Sequence, residues 1–300
     1  MRPTTYASYQ RVVQLHLIPG LGHLRLARLS ALEVQRYLNQ KTEDGASPRL
    51  VQYIHSILRN ALNRAVKWQL VPRNVATLVD PPRGGGVAIH PLAPDAAARL
   101  LEAGRHHPHE YLYALMLATG LRVGEALALR WQDVDLDKGL LGVRHTLERL
   151  PGQPWRLTEP KSASGRRTIP LIGPAMVALR AQRARQAETR LHLGEAWQDH
   201  GFVFSSGLGT PLDGMNVLHQ YKKLLAIAGL PTTHRLHDLR HSTATYLLAA
   251  GVPARVVMEM LGHSQISLTL NTYSHVLPAM LDDAAKRLEA IFPTAVSHAG

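Results

Sequence analysis

Apolar residues in the first eighty positions recur at helical spacing. Tyr6, Tyr9, Val12, Val13 and Leu17 share one face, and Pro19-Gly20 is expected to end that helix. Ser30 with Glu33 three residues on reads as a capping box opening a second helix, whose apolar positions are Leu32, Val34, Tyr37 and Leu38. Ser47-Pro48 opens a third and longer one. There Leu50, Ile54, Ile57, Leu58, Ala61, Leu62, Ala65 and Val66 repeat every three or four residues and are expected to face inward. The pattern predicts a small all-helical domain over residues 1–80.

Pro81-Pro82-Arg83-Gly84-Gly85-Gly86 can neither continue a helix nor order itself cheaply, so residues 81–91 read as a linker. A mixed domain over 92–300 is predicted beyond it. Helices are expected over 94–103, 109–119 and 123–129. A strand-rich stretch is read over 140–150 and 156–171, and within it 161–165, flanked by two alternating segments, reads as a hairpin turn. Pro174 suits the first turn of a long helix, and 202–204 a short buried extended piece. Further helices are expected over 215–228, 236–250 and 254–261, and from about 278. The fold class is therefore mainly α with a small antiparallel sheet.

Composition narrows the partners. Hydrophobic residues make up 45% of 300 positions, enough for two folded cores. Without cysteine, a disulfide framework, a thiolate zinc site and a cysteine nucleophile are all excluded. No apolar run approaches the ~20 residues of a membrane span, and the first residues lack an apolar signal core. These features predict a chain of the cytoplasm that does not enter membranes. A net charge of +12 points to a polyanion. The charge is uneven, with twelve basic residues against four acidic ones up to Arg83. Arg49, Arg59, Arg64 and Lys67 on the third helix are the candidate DNA-binding residues.

The candidate chemistry lies in five short segments. Arg122 opens a helix, an odd place for a cation against the helix dipole, and Glu125 follows on the same face. Lys161 sits in the expected turn. His237 and Arg240 are three apart and project from one side. His263 follows a glycine, and Tyr273 lies ten residues further on. His237 with His241 has the i, i+4 spacing of a zinc pair, but no carboxylate follows in the metalloprotease pattern, so no metal is assigned. His106, His107 and His109, around Pro108, read as surface residues. Taken singly, each of these is ordinary. As a set they hold two forked cations, one point cation, two imidazoles and a phenol, which is what exchange of a phosphodiester requires. Paired guanidinium donors match two phosphate oxygens and can neutralise the charge that develops on them. A phenol can be the covalent nucleophile.

In their order and wording these segments resemble the tyrosine recombinases, the family of phage integrases, Xer-type resolvases and integrases of conjugative elements. Thr119–Leu127 resembles the first arginine box. Glu-Pro-Lys161-Ser followed by Gly-Arg-Arg-Thr-Ile-Pro-Leu resembles the lysine hairpin. His237-Asp-Leu-Arg240-His-Ser and Leu-Gly-His263-Ser resemble the second box, and Asn-Thr-Tyr273-Ser-His the nucleophile segment. The resemblance implies a two-domain clamp on double-stranded DNA at specific attachment sites. In it Arg122 and Arg240 grip the scissile phosphate and His263 bonds a phosphate oxygen. Lys161 protonates the leaving 5′-oxygen, and His237 is base or relay to Tyr273, which becomes a 3′-phosphotyrosine. Glu125 supports Arg122. No cofactor is implied, and four protomers would assemble on two duplexes through a Holliday junction. The sequence opens near Thr4 in the first helical domain rather than in the arm-binding domain that many integrases carry before it, so either that domain has been removed or the recombinase is a simpler kind that never had it. Two alternatives use the same residues: a type IB topoisomerase, and a catalytically silent DNA-binding regulator derived from an integrase.

Overall fold

The computed structural model describes residues 3–84, 90–150, 152–160 and 163–262. The chain divides into two compact units, Met1–Ala88 and Ile89–Gly300.

The first unit is helical. Helix α1 (Pro3–Val12) does not stop at Pro19-Gly20. It continues through a π turn (Val13–Leu17) into α2 (Ile18–Leu21). Pro19 falls in the first turn of α2, directly after the wider turn, the kind of break in the regular helical ladder at which a proline is found. Gly20 is required by packing, because a Cβ there would enter the ring of Tyr37, whose hydroxyl donates to the His16 carbonyl at 2.8 Å. Helix α3 (Ala31–Glu43) opens with the expected capping box: Ser30 Oγ accepts from Glu33 N at 3.2 Å, and Glu33 Oε2 accepts from Ser30 N at 2.7 Å. Val34, Tyr37 and Leu38 are buried, whereas Leu32, about half a turn away from Val34, is exposed. In α4 (Pro48–Lys67), capped by Ser47, the inward stripe is Val51, Ile54, Ile57, Leu58, Leu62 and Ala65, with Ala61 outside it. Each large aliphatic side chain buried there contributes roughly 1.5–3 kcal/mol. Arg49, Arg59, Arg64 and Lys67 are all exposed on the opposite side.

The second unit holds α5 (Pro94–Ala103), α6 (Glu110–Thr119), α7 (Val123–Leu127), α8 (Gly173–Leu193), α9 (Gly214–Ile227), α10 (Asp238–Ala249) and α11 (Ala254–Leu261). Its strands are β1 (Val134–Asp135), β2 (Leu140–Val143), β3 (Thr146–Glu148), β4 (Arg156–Thr158) and β5 (Arg167–Pro170). All pairing is antiparallel, in the order β1-β2-β5 for one sheet and β3-β4 for the other. This corrects the expected hairpin turn at 161–165, because β4 and β5 do not pair. The chain forms one long bent ribbon in which β2 and β3 run out and β4 and β5 return. On the returning side the chain between Thr158 and Arg167 is longer than the Arg144-His145 step between β2 and β3; Ala163–Gly165 form a single 3-10 turn there, and Lys161 and Ser162 lie outside the described residues. Pro160 has no N–H to continue the ladder, which is consistent with β4 ending there. Residues 202–204 are buried as expected, but only as an isolated bridge from Phe202 to Arg130.

The core of this unit gathers Leu112, Leu115, Leu141, Ile169, Leu179 and Leu239 from both sheet and helices. A smaller cluster of Ala244, Leu248, Val257 and Leu261 joins α10 to α11. His107 and His109 are half-buried against Tyr113 rather than on the surface. Among the described residues, no helix is long and apolar enough to cross a membrane.

Candidate active site

Four helix ends meet in the second unit. Helix α6 terminates at Gly120, whose φ of +65° turns the chain. Two residues later Arg122 stands in extended conformation as the N-cap of α7. Glu125, in the first turn of α7, reaches back so that Oε2 accepts from the Arg122 backbone N–H at 3.0 Å and Oε1 accepts from its Nη1 at 2.6 Å. Gly124 lets α7 pack closely on β3, since a Cβ there would lie 2.7 Å from Thr146 Cγ2.

Opposite lies the C-terminus of α11. Arg122 Nη2 donates to the Gly262 carbonyl at 2.9 Å. Arg240, from the first turn of α10 and only 1% exposed, donates from Nη2 to the Leu261 carbonyl at 2.6 Å and from Nη1 to the Gly120 carbonyl at 2.8 Å. A third arginine, Arg167 at the start of β5, donates from Nε to the Met260 carbonyl at 2.6 Å. Three successive carbonyls at the negative end of one helix thus each receive a different guanidinium. The same Arg167 donates from Nη2 to Glu125 Oε2 at 2.8 Å. Burial alone would raise the Glu125 pKa. The hydrogen bond and charge of Arg167, with the charge and backbone N–H of Arg122, hold it below the ordinary carboxylate value.

His237 is the N-cap of α10 and is exposed. The turn before it is fixed by the buried Asp238, which accepts from the backbone N–H of Arg235 at 2.8 Å and from its guanidinium. Desolvation, then the charges of His241, Arg240, Arg122 and Arg235, push the His237 pKa down to about 4. These effects favour the neutral imidazole, the form that can accept a proton. His241 packs edge-on against it, with ring centroids 4.9 Å apart. Among the described residues, no group of three His, Asp or Glu side chains is placed to hold a metal ion.

The expected residues Arg122, Glu125, His237 and Arg240 are thus brought to one place. Lys161, His263 and Tyr273 lie outside the described residues, although His263 is joined directly to the carbonyl that Arg122 holds. Arg49, Arg59, Arg64 and Lys67 belong to the first unit. Sequence reasoning gave Arg167 no role. Its signal was the alternation Arg167-Thr168-Ile169-Pro170, which puts an arginine on the same buried face as Ile169.

Comparison with known proteins adds to this geometry. The family described as "Phage integrase family" matches residues 91–280, and "Phage integrase, N-terminal SAM-like domain" matches residues 1–42. A protein named tyrosine recombinase XerC-like, from Caldanaerobacter subterraneus subsp. tengcongensis, is 30% identical over 97% of this chain and 79% of its own. The structure is similar to that of the Tn1549 transposon integrase in complex with a circular intermediate DNA, with a TM-score of 0.83 at 22% identity, covering 96% of this chain and 94% of that one. It is also similar to a lambda integrase tetramer bound to a Holliday junction, with a TM-score of 0.65 at 17% identity, covering 91% and 72%.

Proposed function

The chain belongs to the phage integrase family, and we propose that it recombines DNA at specific sites with Tyr273 as its nucleophile. The phenol oxygen attacks the scissile phosphorus, the bond to the 5′-oxygen breaks, and a 3′-phosphotyrosyl linkage forms. The proton of the phenol passes to the neutral His237, and the departing 5′-oxygen takes one from Lys161. Arg122 and Arg240, with His263, stabilise the charge on the nonbridging oxygens. A 5′-hydroxyl from the partner duplex then reverses the step and frees the tyrosine. The phosphodiester energy stays in the covalent bond, so no nucleotide is consumed.

The observation that carries this reading is the convergence of Arg122 and Arg240 on consecutive carbonyls, Gly262 and Leu261, at the end of the helix that leads directly to His263. Residues 1–80 act as a helical DNA-binding domain, 81–91 as a linker and 92–300 as the catalytic domain, closing as a clamp on the duplex. Arg49, Arg59, Arg64 and Lys67 contact phosphates. Exchange between two duplexes needs two active protomers on each, hence a homotetramer and a Holliday junction. The site of action is the chromosome in a prokaryotic cytoplasm.

The test uses a duplex selected from a random-sequence pool by binding to the wild-type chain, with one strand nicked at successive positions. A covalent protein–DNA adduct that forms in the presence of a metal chelator and disappears in Tyr273→Phe is expected. Binding without any adduct would instead favour the silent regulator, and relaxation of supercoiled plasmid by a monomer would favour the topoisomerase.

A further inference from the structure

Arg167 is buried, and its guanidinium serves two partners. Toward Glu125 it presents both terminal nitrogens, Nη2 at 2.8 Å and Nη1 at 3.3 Å; toward α11 it presents Nε, on the Met260 carbonyl. The fit leaves no slack. A Cβ on Gly262 would lie 3.0 Å from Arg167 Nη1 and 2.6 Å from the Ser164 carbonyl, and Gly262 has a φ of +68°. The side chain of Arg167 is 6% exposed and that of Glu125 2%, whereas that of Arg122 is 38% exposed.

The charge balance gives this arrangement a consequence. Arg122 paired with Glu125 alone would be a neutral unit, poorly suited to attracting a phosphate. Adding a second, buried cation on the far side of the carboxylate makes the triad +1. The uncompensated charge then appears on the member that is open to solvent. A buried carboxylate between two guanidiniums also has all its acceptor sites engaged, which locks the rotamer of Arg122.

We propose that Arg167 is a positioning residue for the recombination reaction: it neutralises Glu125 from the buried side, so that Arg122 meets the scissile phosphate with its charge uncompensated. At the same time it ties β5 to the last turn of α11, from which His263 departs. This rests on the recombinase reading above and extends it to a residue that touches neither DNA nor the reacting atoms.

The test is the rate of Tyr273-dependent adduct formation on the selected, nicked duplex, with DNA affinity measured separately. In Arg167→Met the rate should fall roughly 10- to 100-fold, as for other residues that support a catalytic group and less than the ~10²–10³ lost with a direct oxyanion donor. Affinity should change less than about threefold, since one phosphate contact among many is weakened. The discriminating variant is Arg167→Met combined with Glu125→Gln. Removing the carboxylate charge removes what Arg167 must neutralise, so the double variant should recover part of the lost rate. A purely structural Arg167 predicts the double variant to be no faster than the single one, and that result overturns the proposal, as does a wild-type rate in a folded Arg167→Met. Should Arg167→Met fail to fold, Arg167→Lys decides. A folded lysine variant keeps the charge and should stay within roughly tenfold of wild type, and a loss of roughly 100-fold or more overturns the proposal. Absence of any adduct with the wild-type chain would instead overturn the recombinase reading itself.

Discussion

Replacing Gly120 with alanine tests how tightly the site is assembled. Gly120 closes α6 at φ +65°, and its carbonyl accepts from Arg240. A Cβ there would collide with Leu261 Cδ2 and lie 3.5 Å from Thr243 Cβ. The left-handed backbone costs an alanine roughly 1–2 kcal/mol, offset by roughly 0.4–1 kcal/mol because the unfolded chain becomes less free. Leu261 is fully buried in the cluster with Ala244, Leu248 and Val257, so displacing it adds roughly 1–3 kcal/mol. The expected destabilisation is about 3 kcal/mol. Gly229 is an internal control, with a φ of +64° and nothing within 4 Å of an added Cβ. Gly229→Ala should cost only the backbone difference, about 1 kcal/mol.

The assay is urea unfolding followed by tryptophan fluorescence, comparing Gly120→Ala, Gly229→Ala, Leu261→Ala and the Gly120→Ala/Leu261→Ala pair. If the clash is the cause, truncating Leu261 relieves it, and the pair should be about 1–2 kcal/mol less destabilised than the sum of the singles. Equal costs at Gly120 and Gly229, together with an additive double variant, would refute the packing argument.

Two further outcomes are expected. Changing Arg49, Arg59, Arg64 and Lys67 together to glutamine should flatten the dependence of DNA affinity on salt by about 3–4 in log–log slope if all four contact phosphates; an unchanged slope, measured by fluorescence anisotropy, removes them from the interface. His109 and His237 are both pushed down to about 4, each by desolvation first and then by neighbouring positive groups, His107 and Arg185 for His109 and His241, Arg240, Arg122 and Arg235 for His237. The unfolded chain therefore takes up protons near the ordinary histidine value of about 6.5 that the folded chain accepts only near 4, so stability should fall as pH drops through that window. The melting temperature between pH 7 and 4 reports this, and a His109→Gln variant should show a shallower fall; an equal fall would refute the assignment to His109.

Much of the fold was legible because helix signals are local. The capping box at Ser30 and Glu33, the proline opening α8 and the stripe of α4 each depend on residues a few positions apart. The ribbon was misread for the opposite reason. Alternation over 156–171 identifies strand-forming residues, but it does not say which strand each will pair with. Leu141 choosing Ile169, and Leu147 choosing Leu157, is decided by contacts across the ribbon. A turn composition at 161–165 was therefore taken for a hairpin tip between strands that do not pair with each other.

Arg167 was missed by the same logic. Its period-two partner Ile169 is buried, so its place on the core face could be read from sequence, but an arginine there costs several kcal/mol unless a carboxylate awaits it. That carboxylate, Glu125, comes 42 residues earlier on a different element. Glu125 was expected to serve one arginine, Arg122, three positions earlier; a single buried guanidinium already satisfies a carboxylate in charge, and the second makes the group cationic. Structural stability alone would be met by the neutral pair, or by leucine-like residues in the place of both Arg167 and Glu125. Keeping three charges where none is needed for packing, with the only solvent-open one aimed beside His237 and Gly262, is the strongest physical reason to read the whole cluster as built around a phosphate.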